Sequence, residues 1–517
     1  RSPRRAAWLG GCFGFTWLLG SVHWLFVSMH RYGQLPAWMA ATALVALVAF
    51  MALYVAAAAA LWSAAAPHGR LAAAGFWALV WLAVELARAQ WFTGFPWGAE
   101  GYAHVDSPLV VLAPWVGVHG VAAAAAGLAA LLGLAARGLT GRRGWLPVLA
   151  PLLLQAWPAG WVGPDLTEPG RTLSVTLLQG NVPQDEKFDA ARLPAVLDWH
   201  VQQLEAAQTD LVVAPETAIP LLPEQLPVGL WERLQQHFHR GSTHALFGMP
   251  LGSYETGYTN SVVGLGPQSV AGAAYRYDKH HLVPFGEFIP WGFRWFVDLM
   301  RIPLGDFNRG ALLAPSYRLG DERLAPNICY EDLFGEELAA RWIDPDQAPT
   351  VLVNVSNIGW FGETVAVSQH LQISRLRALE LQRPMLRATN TGATVIIDHR
   401  GRVTHRVPPH QRAVLVGSGS PGIDTLCPLG GSVGTVAAVG AGSWRDAAAR
   451  QGAGARGAST HLNCRREARL TCRCGVKIRS AGSTPVRPVD APAWRAWRGP
   501  RPGSGGRRRC RAAVGQC

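Results

Sequence analysis

Apolar residues along the first 163 positions follow no short period. Five stretches, about 7–29, 37–66, 71–87, 108–136 and 145–162, each come near the ~20 residues a helix needs to cross a bilayer, and charge is almost absent from them. Buried helices of a soluble protein would not repeat that length five times, so the pattern predicts a multi-pass α-helical membrane bundle. From about 172 to 416 the chain changes to short β-rich runs: LSVTLLQGN, LVVAPETAI, HALFGMP, NSVVGLG, AAYRYDKHHLV, RLAPNICYE, TVLVNVSN and ATVIIDHRG. Between them ARLPAVLDWHVQQLEAA and SQHLQISRLRALELQR space their apolar positions as helices do. That alternation predicts a layered α/β domain. From 417 to 517 neither period survives; GAGSWRDAAARQGAGARG and RPGSGGRRRCR are rich in Gly, Ala, Arg and Pro.

Loop charge then orients the bundle. Arg1, Arg4, Arg5, Arg70, Arg137, Arg142 and Arg143 fall on one side of the alternating helices, and Arg31 and Arg88 on the other. The first side is therefore expected in the cytoplasm and the α/β domain outside it. Glu85, within the third run, is expected to face the bundle interior or a polar boundary. The loop RAQWFTGFPWGAEGY (88–102) lies on the side of the α/β domain; Trp91, Phe92, Phe95 and Trp97 suit either interface anchors or the lining of a shared lipid site.

Composition agrees with a membrane protein, at 49% apolar and 16% charged residues. The net charge of +13 does not point to nucleic acid, because residues 417–517 hold 16 Arg and one Lys against four acidic residues, which is the whole excess. This tail is expected to be unstructured. Its simultaneous change in charge, Cys content and periodicity near VLVGSGSPG reads as a slipped reading frame in GC-rich DNA. The opening RSPRR, without an initiator Met, reads as a fragment or a processed chain, truncated at its N-terminus.

Of eight cysteines, only Cys329 falls in the α/β domain, without a disulfide partner or a Cys/His cluster there. Two readings stand. One is a small buried hydrophobe, the commoner fate of a lone Cys. The other is a nucleophile on a strand-to-helix turn, NICYEDLF, where a helix N-terminus favours the thiolate. A nucleophilic thiol needs a base, and an acyl-transfer intermediate needs positive charge or N–H groups where its oxyanion develops. VVAPETAIP puts Glu216 just past an apolar strand, and YDKHHLVPFGEF puts Lys279 at the end of another, with Glu287 following. Alone, each is more often a solvated surface charge. Together, at strand ends in apolar surroundings, three such residues are harder to dismiss. His280 and His281 find no third ligand at a recognised spacing, so no metal is expected.

APET, KHHLVPFGEFIP and NICYED resemble, in order, the Glu, Lys and Cys motifs of the nitrilase superfamily. With the membrane runs in front, LLQGNVPQDEKF, YTNSVV, SNIGWFG and QISRLRALELQRPMLRATNTG extend the resemblance to the apolipoprotein N-acyltransferase family of bacterial envelopes, over about residues 10–416. The resemblance implies an αββα sandwich with a triad of Glu216, Lys279 and Cys329. Glu216 would be the base, Lys279 would meet the oxyanion with the backbone N–H of Tyr330, and Cys329 would carry the acyl group as a thioester. Glu287 would orient Lys279 or a tetrahedral intermediate, and Glu331 would support the same network. Implied partners are a membrane phospholipid as donor, a diacylglyceryl-modified apolipoprotein as acceptor, and the bilayer, with no cofactor. A monomer in the bacterial inner membrane, its catalytic domain on the periplasmic side, is the implied setting.

FIPWGFRWFVDLMRIP (288–303) is expected either as a membrane-dipping arm that admits the lipid tail or as a core segment; Trp291, Trp295, Phe296 and Trp360 are candidate lipid contacts. The chain departs from the family in three places. The family usually has further membrane helices before the first run and a closing helix after the catalytic domain, and it commonly has an acidic residue where Ile358 and Gly359 precede Trp360. Two rivals compete: a membrane-tethered amidase or nitrilase passing the acyl group to water, and a non-catalytic transporter or receptor. The aromatic arm and the bundle disfavour the first, and the scarcity of polar residues within the helices disfavours the second.

Overall fold

The computed structural model describes residues 2–136, 166–187, 189–267, 274–294, 306–417 and the backbone of 423–428. The predicted fifth run (145–162), Trp295, Phe296 and nearly all of the basic tail lie outside the described residues. Ser2 caps helix α1 (Pro3–Val22), its hydroxyl accepting from the Arg5 amide with Pro3 in the first turn. The chain then bends by 59° into Leu25–Tyr32. Three further helices follow, α2 (Ala37–Ala65), α3 (Arg70–Gln90) and α4 (Ala113–Ala136). Among the described residues three helical segments are long and apolar enough to cross a membrane, or four if the bent pair counts as one span.

Glu85 does face the bundle interior: its Oε2 accepts from Arg88 Nη2 at 2.8 Å, and both residues are buried. Arg88, expected as a loop charge, is instead this carboxylate's partner, and it also donates to the Trp97 carbonyl at 2.9 Å. An intramembrane acid is tolerable only when so paired. The aromatic loop divides, with Trp97 buried and Trp91 and Phe92 exposed.

Fourteen strands follow among the described residues. β1 (Thr167–Leu173) pairs with β14 (Ile423–Pro428) in a ribbon. One six-stranded sheet takes β2 (Val175–Gln179), β3 (Leu211–Val213), β4 (His244–Ser253), β5 (Gly257–Leu265), β6 (Tyr275–Asp278) and β13 (Ala413–Gly417), in the order β13-β2-β3-β4-β5-β6. The other takes β7 (Tyr317–Leu319), β8 (Glu322–Ile328), β9 (Val351–Ser356), β10 (Met385–Thr389), β11 (Val395–Ile397) and β12 (Val403–Arg406), in the order β12-β11-β10-β9-β8-β7. Each sheet has three parallel central strands, β2-β3-β4 and β8-β9-β10, and antiparallel edges. The centres are covered on both faces, which is why their sequences read as continuous apolar runs.

Leu177, Val213, Leu246 and Val262 meet Leu324, Ile328, Val353 and Leu386 between the sheets. Helices α5 (Leu193–Ala206) and α6 (Leu230–Arg240) cover the first sheet through Leu197, Val201, Leu204, Leu234 and Phe238. Helix α7 (Ala366–Glu380) covers the second. The result is the expected αββα sandwich behind a helical bundle. α7 is itself roofed by the bundle: Leu18, Val22, Trp24, Trp97, Tyr102 and Val121 share one apolar core with Tyr330, Leu333, Phe334, Ile373 and Leu376. α4 accommodates this contact by a break at Gly117 (φ 65°, ψ −178°), where a Cβ would lie 2.8 Å from Glu380 Oε1. Only glycine takes that conformation cheaply while admitting the carboxylate.

Candidate active site

Carboxyl ends of strands from both sheets converge at one rim of the sandwich. β3 delivers Glu216, β6 delivers Lys279, β8 delivers Cys329 and β9 delivers Asn357. The carboxyl ends of parallel strands are where open α/β sheets place their chemistry. Lys279 is buried, with its Nζ 2.9 Å from Glu287 Oε1 and 3.6 Å from Glu216 Oε1. Burial works against its charge, but Glu287, Glu216 and the Cys329 sulfur outweigh it and hold the pKa above that of a free lysine. Asn260 binds the two acids together, its Nδ2 donating to Glu216 Oε1 at 2.7 Å and to Glu287 Oε1 at 2.8 Å. Glu216 Oε2 accepts from the Asn357 amide at 2.8 Å, and Glu287 Oε2 from the Val283 amide at 2.8 Å. Both acids are thus held as hydrogen-bond acceptors around one ammonium.

Cys329 opens a five-residue 3₁₀ turn, Cys329–Leu333, at φ +52°. The sequence led us to expect a helix whose N-terminus would favour the thiolate. The turn is too short for an appreciable dipole, and the result is opposite: burial and Glu216 push the thiol up to about 12 against the pull of Lys279. At rest the sulfur is a neutral thiol, and ionising it falls to a base. Glu331 clamps the rim. Its Oε1 accepts from the His280 and His281 amides (2.7 and 3.1 Å), and its Oε2 from Tyr277 Oη and the Ile328 amide (2.7 and 2.6 Å). That ties the Lys279 strand end to the Cys329 strand end. Tyr330 is buried beside it, and its hydroxyl donates to the Gly94 carbonyl of the bundle at 3.3 Å.

Of the candidate lipid contacts, Trp291 is 99% exposed and Trp360 41% exposed, the latter edge-on to Tyr32 of the bundle at 5.9 Å. Within 288–294, the described part of this segment, Trp291 and Phe293 are exposed. Among the described residues no cluster of three or more His, Cys, Asp or Glu could hold a metal ion. His281 instead pairs with Glu337 at 2.9 Å and stacks on Phe334.

Sequence reasoning did not assign Asn260, Asn357 or Lys187, although all three sit inside motifs quoted above. Lys187 is buried and donates to the Glu216 carbonyl at 3.1 Å. Burial pushes it down to about 8, with Glu216 and Cys329 pulling it back up. A lysine inside a stretch otherwise reading as a polar turn is the one signal that could have drawn attention to it.

Residues 1–131 match the family model described as the apolipoprotein N-acyltransferase N-terminal domain, and residues 174–418 match that of carbon-nitrogen hydrolase. A protein of Verminephrobacter eiseniae named apolipoprotein N-acyltransferase is 56% identical over 424 residues, 80% of this chain and 79% of that one. One of the same name from Ralstonia nicotianae is 47% identical over 412 residues, 78% of this chain and 77% of that one. The chain belongs to the apolipoprotein N-acyltransferase family. Among solved structures it is similar to an amidase of Nesterenkonia sp. AN1 in complex with acrylamide, at 14% identity and a TM-score of 0.37, covering 53% of this chain and 98% of that one.

For this N-acyltransferase family member, Gly248 supplies a sharp test of how Glu216 is held. A Cβ there would lie 2.5 Å from the Thr217 nitrogen, 2.6 Å from the Pro215 oxygen and 2.7 Å from the Glu216 Cα, all backbone atoms that cannot swing aside. Gly248→Ala is expected to displace the Glu216 loop and lower activity on the order of 10²-fold, the usual result of misplacing a reacting group by about 1 Å. Rates of acyl-enzyme formation alongside thermal unfolding check this. A variant within about threefold of wild type would mean that the loop is not what sets the geometry.

Proposed function

We propose that the protein moves a fatty acyl chain from a membrane phospholipid, through a thioester on Cys329, to the α-amine of the diacylglyceryl-cysteine of apolipoproteins. The observation that carries this reading is the Glu216, Lys279 and Cys329 rim packed against a membrane bundle with which it shares a core. Such a site receives its acyl donor from the bilayer. In the first half-reaction Glu216 takes the Cys329 proton as sulfur attacks the ester carbonyl, and Lys279 balances the oxyanion. The intermediate collapses, and the leaving lysophospholipid oxygen takes the proton from Glu216. In the second half-reaction the acceptor amine attacks the thioester, Glu216 takes the amine's proton, and the expelled sulfur is reprotonated by it. Glu287 and Asn260 hold Lys279 in place through both halves. The positive loop charges support an orientation in the inner membrane of a bacterium with the site on the periplasmic side, where the chain works as a monomer.

The test is peptide mass spectrometry of Cys329 after incubating the membrane-embedded chain with phospholipid. A hydroxylamine-labile fatty acyl adduct is expected, and adding a diacylglyceryl-cysteine peptide should discharge it into an N-acyl product. Discharge to free fatty acid alone would sink the reading in favour of hydrolysis.

Lys187 gives the pH dependence. A lysine depressed to about 8 carries its charge below that pH and loses it above. Its ammonium faces Glu216 and Cys329, where negative charge develops, so activity is expected to fall as pH rises through about 8. Lys187→Arg, charged throughout, should carry activity further into the alkaline range, and Lys187→Met should lower it on the order of tenfold at neutral pH. Coincident alkaline limbs for wild type and Lys187→Arg would remove Lys187 from the account.

A further inference from the structure

Two adjacent residues of α7 face opposite ways into buried polar surroundings. On the outer side, Gln369 Oε1 accepts from the indole N–H of Trp24 at 3.0 Å and of Trp97 at 2.9 Å, while its Nε2 donates to the Ser21 carbonyl at 3.0 Å. One amide therefore gathers the end of α1, the bend after it and the loop before α4. Trp24 and Trp97 lie 4.6 Å apart, and both touch Phe361. On the inner side, His370 Nδ1 faces the Arg387 Nη2 donor at 2.8 Å. A guanidinium cannot accept, so Nδ1 is the acceptor and the ring proton sits on Nε2. That N–H points at Asp332 Oδ1 (2.9 Å) and at the carbonyl of Cys329 (3.3 Å).

The inner cluster is closed. Asp332 Oδ2 accepts from Ser374 Oγ at 2.6 Å and Arg387 Nη1 at 3.2 Å, and Asn354 Nδ2 donates to the Cys329 carbonyl at 3.3 Å. His370, Asp332, Ser374, Arg387 and Asn354 are all fully buried. They surround a nucleophile whose backbone sits at φ +52°, a conformation costly for a residue with a Cβ and kept only where neighbours enforce it. The Trp97 and His370 rings, centroids 5.4 Å apart, connect the two sides.

We propose that Gln369 and His370 are positioning residues that couple the seating of the membrane bundle to the geometry of the nucleophile: Gln369 fixes α7 against the bundle, and His370 holds the Cys329 carbonyl. The α/β domain then presents its thiol correctly only when the bundle is docked. This inference rests on the reading of Cys329 as nucleophile.

The experiment uses the full chain in phospholipid vesicles and compares wild type with Gln369→Leu, which removes the acceptor at similar volume, and Gln369→Glu, which keeps it. Trp97→Phe removes one indole N–H while keeping a ring, and serves if Gln369→Leu fails to fold. Two readouts are taken: iodoacetamide labelling of Cys329 followed by peptide mass, and kcat and KM for acyl transfer. Gln369→Leu is expected to slow both labelling and kcat about tenfold with KM within about twofold, and Gln369→Glu to restore both to within about threefold. Trp97→Phe is expected to fall between. A folded Gln369→Leu variant that labels and turns over at the wild-type rate would overturn the proposal, as would a loss confined to KM. Labelling needs no lipid donor, so the predicted labelling pattern in a chain that never forms a thioester would count against the assigned reaction and leave the coupling standing.

Discussion

Exchanging Cys329 for Ala, or even for Ser, is expected to lower acyl transfer by at least about 10⁴-fold with the fold intact. Ala leaves nothing to carry the acyl chain. Ser keeps an oxygen in the same place, but the site already lifts a thiol to about 12, and a hydroxyl is far less acidic than a thiol to begin with. Glu216 would have to take a proton it cannot hold against such an alkoxide. Neither change disturbs packing much, because the position is only half-buried and starts a turn held by Glu331, His370 and Asn354. Acyl transfer and thermal unfolding measured together decide the matter. A folded Ala variant above about 1% of wild-type rate would dismiss the covalent route.

Lys279→Met carries the second large effect, and it acts twice. Losing the cation beside a developing oxyanion costs about 10²- to 10³-fold in rate. It also leaves the Oε1 atoms of Glu216 and Glu287 sharing the Asn260 amide without the ammonium that sat between them. Breaking a buried pair from one side costs about 3–5 kcal/mol, since the remaining charge stays buried. Adding Glu287→Gln removes one of the two acids. The double variant is expected to recover most of the stability and none of the rate. If the single variant unfolds at the wild-type temperature, Glu216 and Glu287 are not the tightly held charges described here.

The bundle, the sandwich and the residues at strand ends were legible because each rests on a local signal: length without charge, alternation of period, or a polar residue ending an apolar run. β10 was not. Its MLRAT looks like the continuation of a helix, because Arg387 interrupts the apolar run of a strand that lies buried between β9 and β11. The Asp332 carboxylate on the neighbouring turn, with His370 Nδ1 and Asn354 Oδ1, makes an arginine acceptable there. α7 was visible as a helix, but its cover was not. His370, Ser374 and Arg377 are buried on it, and the bundle residues that bury it are the same Leu, Val, Ala and Trp that would face lipid. Apolar sequence does not distinguish hydrocarbon from a protein neighbour. The turn after Cys329 differs from the expected helix start: it is a short 3₁₀ turn in which Glu331 and Asp332 are buried as anchors, one for the rim and one for the cluster beneath it.

On the proposed reading, a nucleophile kept protonated until its substrate arrives has a further consequence for a site on the periplasmic side. Oxidation by peroxides and disulfides proceeds by attack of a thiolate on them, and a thiol raised to about 12 presents almost none. On that reading Cys329 needs no resolving cysteine and no reductase to stay usable between turnovers. The same burial that makes the first proton hard to remove preserves the sulfur between turnovers.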